Sequence, residues 1–220
     1  MQGGIVGTGG SEVKKRTVLG ELPPSVDPPT SGPYSSGQMH RYVYGLAAAV
    51  ALAACGDPNA LPDPQTPNVV DTISISALTG TDIQLPSALS LPGPRSVRTD
   101  LSADFDFAFD FRGATPVFLP RAALNFPASG IQPGLQRPGV AFADIKEGLI
   151  NGYTTRDTLQ LAVGDVFVAR SRVACSALNV AIYGKLRILE IDPTARTVTF
   201  EVLADQNCGY VGLEPGLPNK

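Results

Sequence analysis

Apolar and polar residues alternate with a period of two through much of the chain after residue 70, the period of a half-buried strand. The clearest run is Asp104-Phe105-Asp106-Phe107-Ala108-Phe109-Asp110-Phe111. Side chains point to opposite faces in turn, so Phe105, Phe107, Phe109 and Phe111 are expected on one face and Asp104, Asp106 and Asp110 on the other. The phenylalanines read as core and the aspartates as a wetted outer face. Three carboxylates on one face also suggest a cation site. Their spacing of about 7 Å and the lack of an EF-hand pattern argue against it.

Other strands follow the same reasoning. Ile73, Ile75 and Ala77 alternate with Thr72, Ser74 and Ser76, and after the turn Thr79-Gly80-Thr81-Asp82 a short strand is expected at Ile83-Gln84-Leu85. Pro116–Leu119 reads as a strand, Ile131–Gly139 as an irregular Gly/Pro loop, and Phe142–Gly148 as one helical turn stopped by glycine. Thr158–Val163 leads through the turn Gly164-Asp165 to a strand at Val166–Ser171. Asn179–Ile191 predicts a long strand with Ile182, Leu186 and Ile188 on one face and Tyr183, Lys185 and Arg187 on the other. Gly184 in its middle marks a bulge or a close backbone approach. Asp192–Arg196 is the hairpin turn, and Thr197–Leu203 returns with Val198, Phe200 and Val202 inward. Short strands, many turns and almost no helical period predict an all-β fold: a single antiparallel sandwich or barrel-like domain over residues 69–220.

A different pattern precedes this domain. Met39-His40-Arg41 is followed by a charge-free apolar run at residues 42–54, and that run ends on small residues before Cys55. It is shorter than the roughly 20 apolar residues needed to span a bilayer, and Gly56-Asp57-Pro58-Asn59 cannot extend it. A basic start, a short apolar run and a small-residue end make a secretory signal peptide. Residues 39–54 are read as that signal, residues 1–38 as a disordered leader or a mis-assigned start, and residues 55–68 as a Pro-rich tether. A buried Ala-rich helix is the competing reading of the apolar run.

Leu52-Ala53-Ala54-Cys55 resembles the lipobox of bacterial lipoproteins. The resemblance implies cleavage before Cys55, a diacylglyceryl thioether on its sulfur, and a membrane-anchored protein of the bacterial cell envelope. Gly56 stands where an inner-membrane retention aspartate is often found, which points to the outer membrane.

Three cysteines are present. With Cys55 assigned to lipid, Cys175 and Cys208 remain, and export places them where disulfides persist. A Cys175–Cys208 bridge is expected, contributing roughly 3–4 kcal/mol in the chain-entropy model; two free buried thiols are the alternative.

The chemistry is bounded by what the processed chain lacks. His40 is the single histidine, Met1 and Met39 are the two methionines, and there is no tryptophan. Downstream of Cys55 no Ser-His-Asp triad, Cys-His nucleophile or histidine-bearing zinc site is available. A carboxylate-based glycosidase pair stays open in principle, with Asp104, Asp106 and Asp110 the one cluster that offers it. The net charge of the sequence is −3 and no basic run occurs downstream of Cys55, which argues against nucleic acid as a partner of the processed chain. No catalytic residue, metal ligand or cofactor is assigned. A non-enzymatic domain that binds a ligand or partner is expected, with a structural or assembly subunit of an envelope complex as the alternative.

The order of features also resembles the HmuY-type haemophore lipoproteins, which are lipid-anchored all-β proteins. The residues that carry the likeness are Phe105-Asp106-Phe107-Ala108-Phe109, Val166–Ser171 and Tyr183-Gly184-Lys185-Leu186-Arg187-Ile188. The founding members grip haem iron with two histidines, which this chain lacks after Cys55. Haem capture would fall to Tyr153, Tyr183 or Tyr210.

Overall fold

The computed structural model of the chain describes residues 61–219. The signal segment and Cys55 lie outside those residues. Ten strands follow in order: β1 Val70–Ser76, β2 Ala88–Ser90, β3 Arg95–Val97, β4 Phe107–Arg112, β5 Thr115–Pro120, β6 Gly134–Gln136, β7 Leu159–Gln160, β8 Val166–Cys175, β9 Val180–Asp192 and β10 Thr197–Ala204. They form two five-stranded sheets, ordered β1-β10-β9-β8-β6 and β3-β2-β4-β5-β7. Every pairing is antiparallel, and the sheets stack face to face as an all-β sandwich.

The alternation read from sequence builds the core between the sheets. Ile75, Phe107, Phe109, Phe118, Phe167, Leu186, Ile188, Val198, Phe200 and Val202 all point into one buried cluster. Phe118 is its hub, edge-on to Phe109 at 6.4 Å, Phe167 at 6.4 Å and Phe200 at 5.7 Å between ring centroids. Each such side chain withdrawn from water contributes roughly 1.5–3 kcal/mol. The β9–β10 hairpin has the expected facing. Its turn is held by Asp192, whose Oδ1 accepts from the Thr194 and Ala195 amides at 2.7 and 2.9 Å.

The aspartate-phenylalanine run departs from expectation. β4 begins only at Phe107, so Phe105 leaves the alternation and joins Ala88, Val97, Ala108, Val117 and Leu119 on the opposite face of the second sheet. The expected wetted face is therefore corrected. Asp106 and Asp110 are 0% and 3% exposed: Asp106 is held by the Leu91 amide and by Arg172 of β8, and Asp110 by Thr79 in the loop after β1. Asp104 alone stays at the surface.

Several short elements differ as well. Ile83-Gln84-Leu85 is a turn, not a strand, because Asp82 captures the Gln84 amide with its side chain at 2.8 Å and the Leu85 amide with its carbonyl at 3.0 Å. The strand lies five residues later, in β2, whose three residues are all buried and show no alternation. The Ile131–Gly139 loop contains β6, and Thr158–Val163 reduces to the two residues of β7. At Gly184 the chain needs close approach, since a Cβ there would lie 2.9 Å from the Leu203 carbonyl and 2.9 Å from Leu91 Cδ1. The bulge of β9 falls instead at Leu189, where Thr199 pairs with Glu190 and Phe200 with Ile188.

The outer face of the first sheet carries a second cluster: Phe142, Ile145, Val168, Leu203 and Leu213. Phe142 belongs to a single 3-10 turn, Phe142–Asp144. Lys185 is buried beneath it, 2% exposed, with Nζ donating to the Ile145 carbonyl at 2.9 Å and lying 4.7 Å from the Phe142 ring centre.

From residue 61 the Pro-rich segment is docked along the C-terminal loop. Asn207 Oδ1 accepts from the Gln65 and Thr66 amides at 2.8 and 3.0 Å, and its Nδ2 donates to the Thr66 carbonyl at 2.8 Å. Buried Asn68 exchanges two backbone bonds with Gly216, at 2.7 and 3.0 Å. Leu61 packs on Gly209, where the φ of +88° and the 2.8 Å separation of Leu61 Cδ2 from a Cβ position leave room for glycine alone.

Candidate functional site

A sandwich has four sheet edges, and an edge with unpaired N–H and C=O groups is a template for another strand. Three of the four are short or covered here. β3 has three residues. β6 is capped by Thr154, which exchanges two backbone hydrogen bonds with Leu135 at 3.1 and 2.9 Å. β7 has two residues, and Arg137 Nη2 donates to its Gln160 carbonyl at 2.6 Å.

β1 is different. It runs seven residues and pairs with β10 along one side, from Val70–Leu203 to Ser76–Thr197. The Ala77 amide points to β10's side, donating to the Arg196 carbonyl at 2.8 Å, while the Ser76 amide points away and donates to the Pro86 carbonyl at 2.8 Å. Strand alternation then turns the backbone groups of Val70, Thr72 and Ser74 outward with Ser76. Among the described residues these three have no backbone partner on that side. The open stretch is closed at both ends, by the Asn68–Gly216 bridge and by the Ser76–Pro86 bond. No Lys and no Pro guards it, Val70 is 40% exposed, and Thr72 and Ser74 are exposed hydroxyl residues.

A second feature lies at the end of the sandwich where β8 turns into β9. A cleft of about 410 Å³ is lined by Arg121, Pro127, Ala128, Ser129, Arg172 and Asn179, among others. Its two cations differ. Arg172 Nη1 sits 3.0 Å from Asp106 and its Nη2 contacts Asp104, so its charge is compensated. Arg121 bonds only carbonyls among the described residues, with Nε donating to Phe126 O at 3.1 Å and Nη1 to Phe105 O at 3.4 Å. Among the described residues Arg121 has no carboxylate within ion-pair range. Phe126 and Leu178 stand beside this cleft, 55% and 48% exposed.

Of the carboxylates named from sequence, Asp104 and Asp106 meet on the guanidinium of Arg172, and Asp110 is engaged elsewhere, so the three do not share one site. Asp106 accepts from the Leu91 amide at 2.8 Å with one oxygen, and from the Arg172 amide and guanidinium, both at 3.0 Å, with the other. Burial pushes its pKa upward, and Arg172 and the two amides offset part of that rise. Asp110 instead accepts from the Thr79 amide and hydroxyl at 3.2 and 2.8 Å. Of the tyrosines, Tyr153 and Tyr183 pack on the Phe142 cluster, and burial raises the Tyr153 pKa. Tyr210 lies apart, its hydroxyl donating to the Pro62 carbonyl at 2.9 Å. None of the three lines the Arg121 cleft.

Cys175 and Cys208 are bonded to one another, with Cα atoms 5.8 Å apart. The bridge joins the end of β8 to the loop that holds residues 61–68. Cys55 is not among the described residues. The open β1 edge and the uncompensated Arg121 were not singled out by sequence. Thr72 and Ser74 differ in no local way from hydroxyl residues on a paired strand, and a free guanidinium is defined only by carboxylates distant in the chain.

No protein-family model, curated protein or solved structure matches this chain.

Proposed function

We propose that the chain is a lipid-anchored, non-enzymatic protein of the bacterial cell envelope, and that its β-sandwich captures an extended segment of a protein partner along β1. The single observation that carries the partner reading is the run of outward backbone groups at Val70, Thr72 and Ser74, left open between two closed ends. Strand addition draws affinity from main-chain hydrogen bonds and specificity from alternate side chains. Such an edge suits a polypeptide better than a small ligand, so a binding domain and an assembly subunit become one reading. The anchoring half rests on Leu52-Ala53-Ala54-Cys55 and the short apolar run before it. The non-enzymatic half rests on the lack of histidine beyond His40 and on carboxylates committed to internal partners.

Two measurements test this. Intact mass of the protein from membranes is expected to match a chain beginning at a lipid-modified Cys55, and Cys55→Ala is expected to abolish membrane fractionation. Cross-linked membranes are expected to yield one stoichiometric partner with the native chain and none with Thr72→Pro. Proline at an outward edge position removes the donor and fills the docking line without touching the β10 ladder. Equal capture by both chains would refute the edge reading.

A further inference from the structure

Resting on the lipid anchor at Cys55, we propose that the cleft end of the sandwich is a bilayer-contacting surface, with Phe126 and Leu178 seated in the interface and Arg121 against lipid phosphate.

Leu61 is fixed against Gly209, and six residue steps separate it from Cys55. Six steps span at most about 20 Å when fully extended. A lipid on Cys55 therefore holds the Leu61 end of the domain at the membrane surface.

That end is the cleft end, as a chain of contacts shows. Gly209 follows Cys208, which is bonded to Cys175. The Cys175 carbonyl accepts from the Leu178 amide at 3.1 Å. Val173, two residues before Cys175, lies 3.4 Å from a Cβ position on Gly130, and both line the cleft together with Arg121. The opposite end is formed by the Asp192–Arg196 turn, tied to Thr79 through Arg196 Nε at 2.8 Å.

Chemistry makes the same end fit a lipid surface. Exposed Phe126, exposed Leu178 and a guanidinium with no carboxylate partner among the described residues lie at this end. Aromatic rings settle at headgroup depth, and arginine binds phosphate oxygens with a planar fork. The carbonyls of Phe105 and Phe126 hold Arg121 in place without neutralising it, leaving its charge for an anion. Partial insertion of apolar tips plus attraction to anionic headgroups is how interfacial surfaces gain affinity.

The test uses the full chain, purified from membranes and reconstituted in vesicles of phosphatidylethanolamine and phosphatidylglycerol. An environment-sensitive fluorophore is placed on Phe126→Cys, Leu178→Cys or, at the far end, Ala195→Cys, and intact mass reports lipid on Cys55 in each sample. Blue-shifted emission and a severalfold loss of quenching by an aqueous quencher are expected at 126 and 178 but not at 195. Equal emission and quenching at all three positions in a lipidated chain would overturn the contact while leaving the anchor intact. A chain without lipid on Cys55 would overturn the anchor and this contact with it.

Discussion

Arg172 Nη1 and its own backbone amide both lie 3.0 Å from Asp106 Oδ1, and they tie β8 of one sheet to the residue before β4 of the other. Asp106 is fully buried and its second oxygen takes the Leu91 amide. An ion pair of this kind is costly to break from one side, because the remaining charge stays buried without its partner. Arg172→Met is therefore expected to destabilise the domain by about 3 kcal/mol. The double variant Asp106→Leu with Arg172→Met is expected to be less harmful than the sum of the single changes, as measured by denaturant unfolding.

This pair also marks where sequence reasoning stops. In the run from Asp104 to Phe111 the period of two correctly places Phe107, Phe109 and Phe111 in the core. It fails at Asp106, where the chain is not yet strand and a partner 66 positions away decides burial. The β9–β10 hairpin was legible because its alternation is long and its turn is local. β2 and β6 were not, because three residues show no period. Neither was the open edge, since an edge is defined by what fails to pair with it.

Gly184 tests the packing of β9 on β10. Alanine there would press its Cβ against the Leu203 carbonyl, a backbone atom that cannot move aside, and against Leu91. Gly184→Ala is expected to cost about 1–3 kcal/mol and to lower the thermal midpoint. Gly113→Ala is the comparison in space but not in backbone, since it meets nothing within 4 Å yet has a φ of +65°; its cost is expected to be that of local strain, about 1 kcal/mol.

The bridge between Cys175 and Cys208 closes a separation of 33 residues. Removing it with Cys175→Ser and Cys208→Ser is expected to cost about 3–4 kcal/mol in the chain-entropy model. Because Asn207 holds residues 65 and 66, the loss is expected to spread to them, with faster amide exchange at Gln65 and Thr66 than in the native protein.

Lys185 gives the stability a pH signature. Burial is the largest influence on its amine and holds the pKa below the usual 10.5. The unfolded chain then binds this proton more tightly than the folded one, so stability rises with pH between the lowered value and 10.5. Below that window Lys185 is charged in both states and the cost of burying the charge is fully present. Lys185→Met is expected to lack this alkaline rise, as read by denaturant unfolding across the window.

Residue-resolved amide exchange across β1, in the free protein and in the captured complex, tests the central claim most directly. In the free protein the outward amides of Val70, Thr72 and Ser74 are expected to exchange quickly, while Asp71, Ile73 and Ile75, turned toward β10, are slow. Partner binding is expected to slow the three outward amides and leave the inward three unchanged. Outward amides that stay fast in the complex would contradict strand addition along β1.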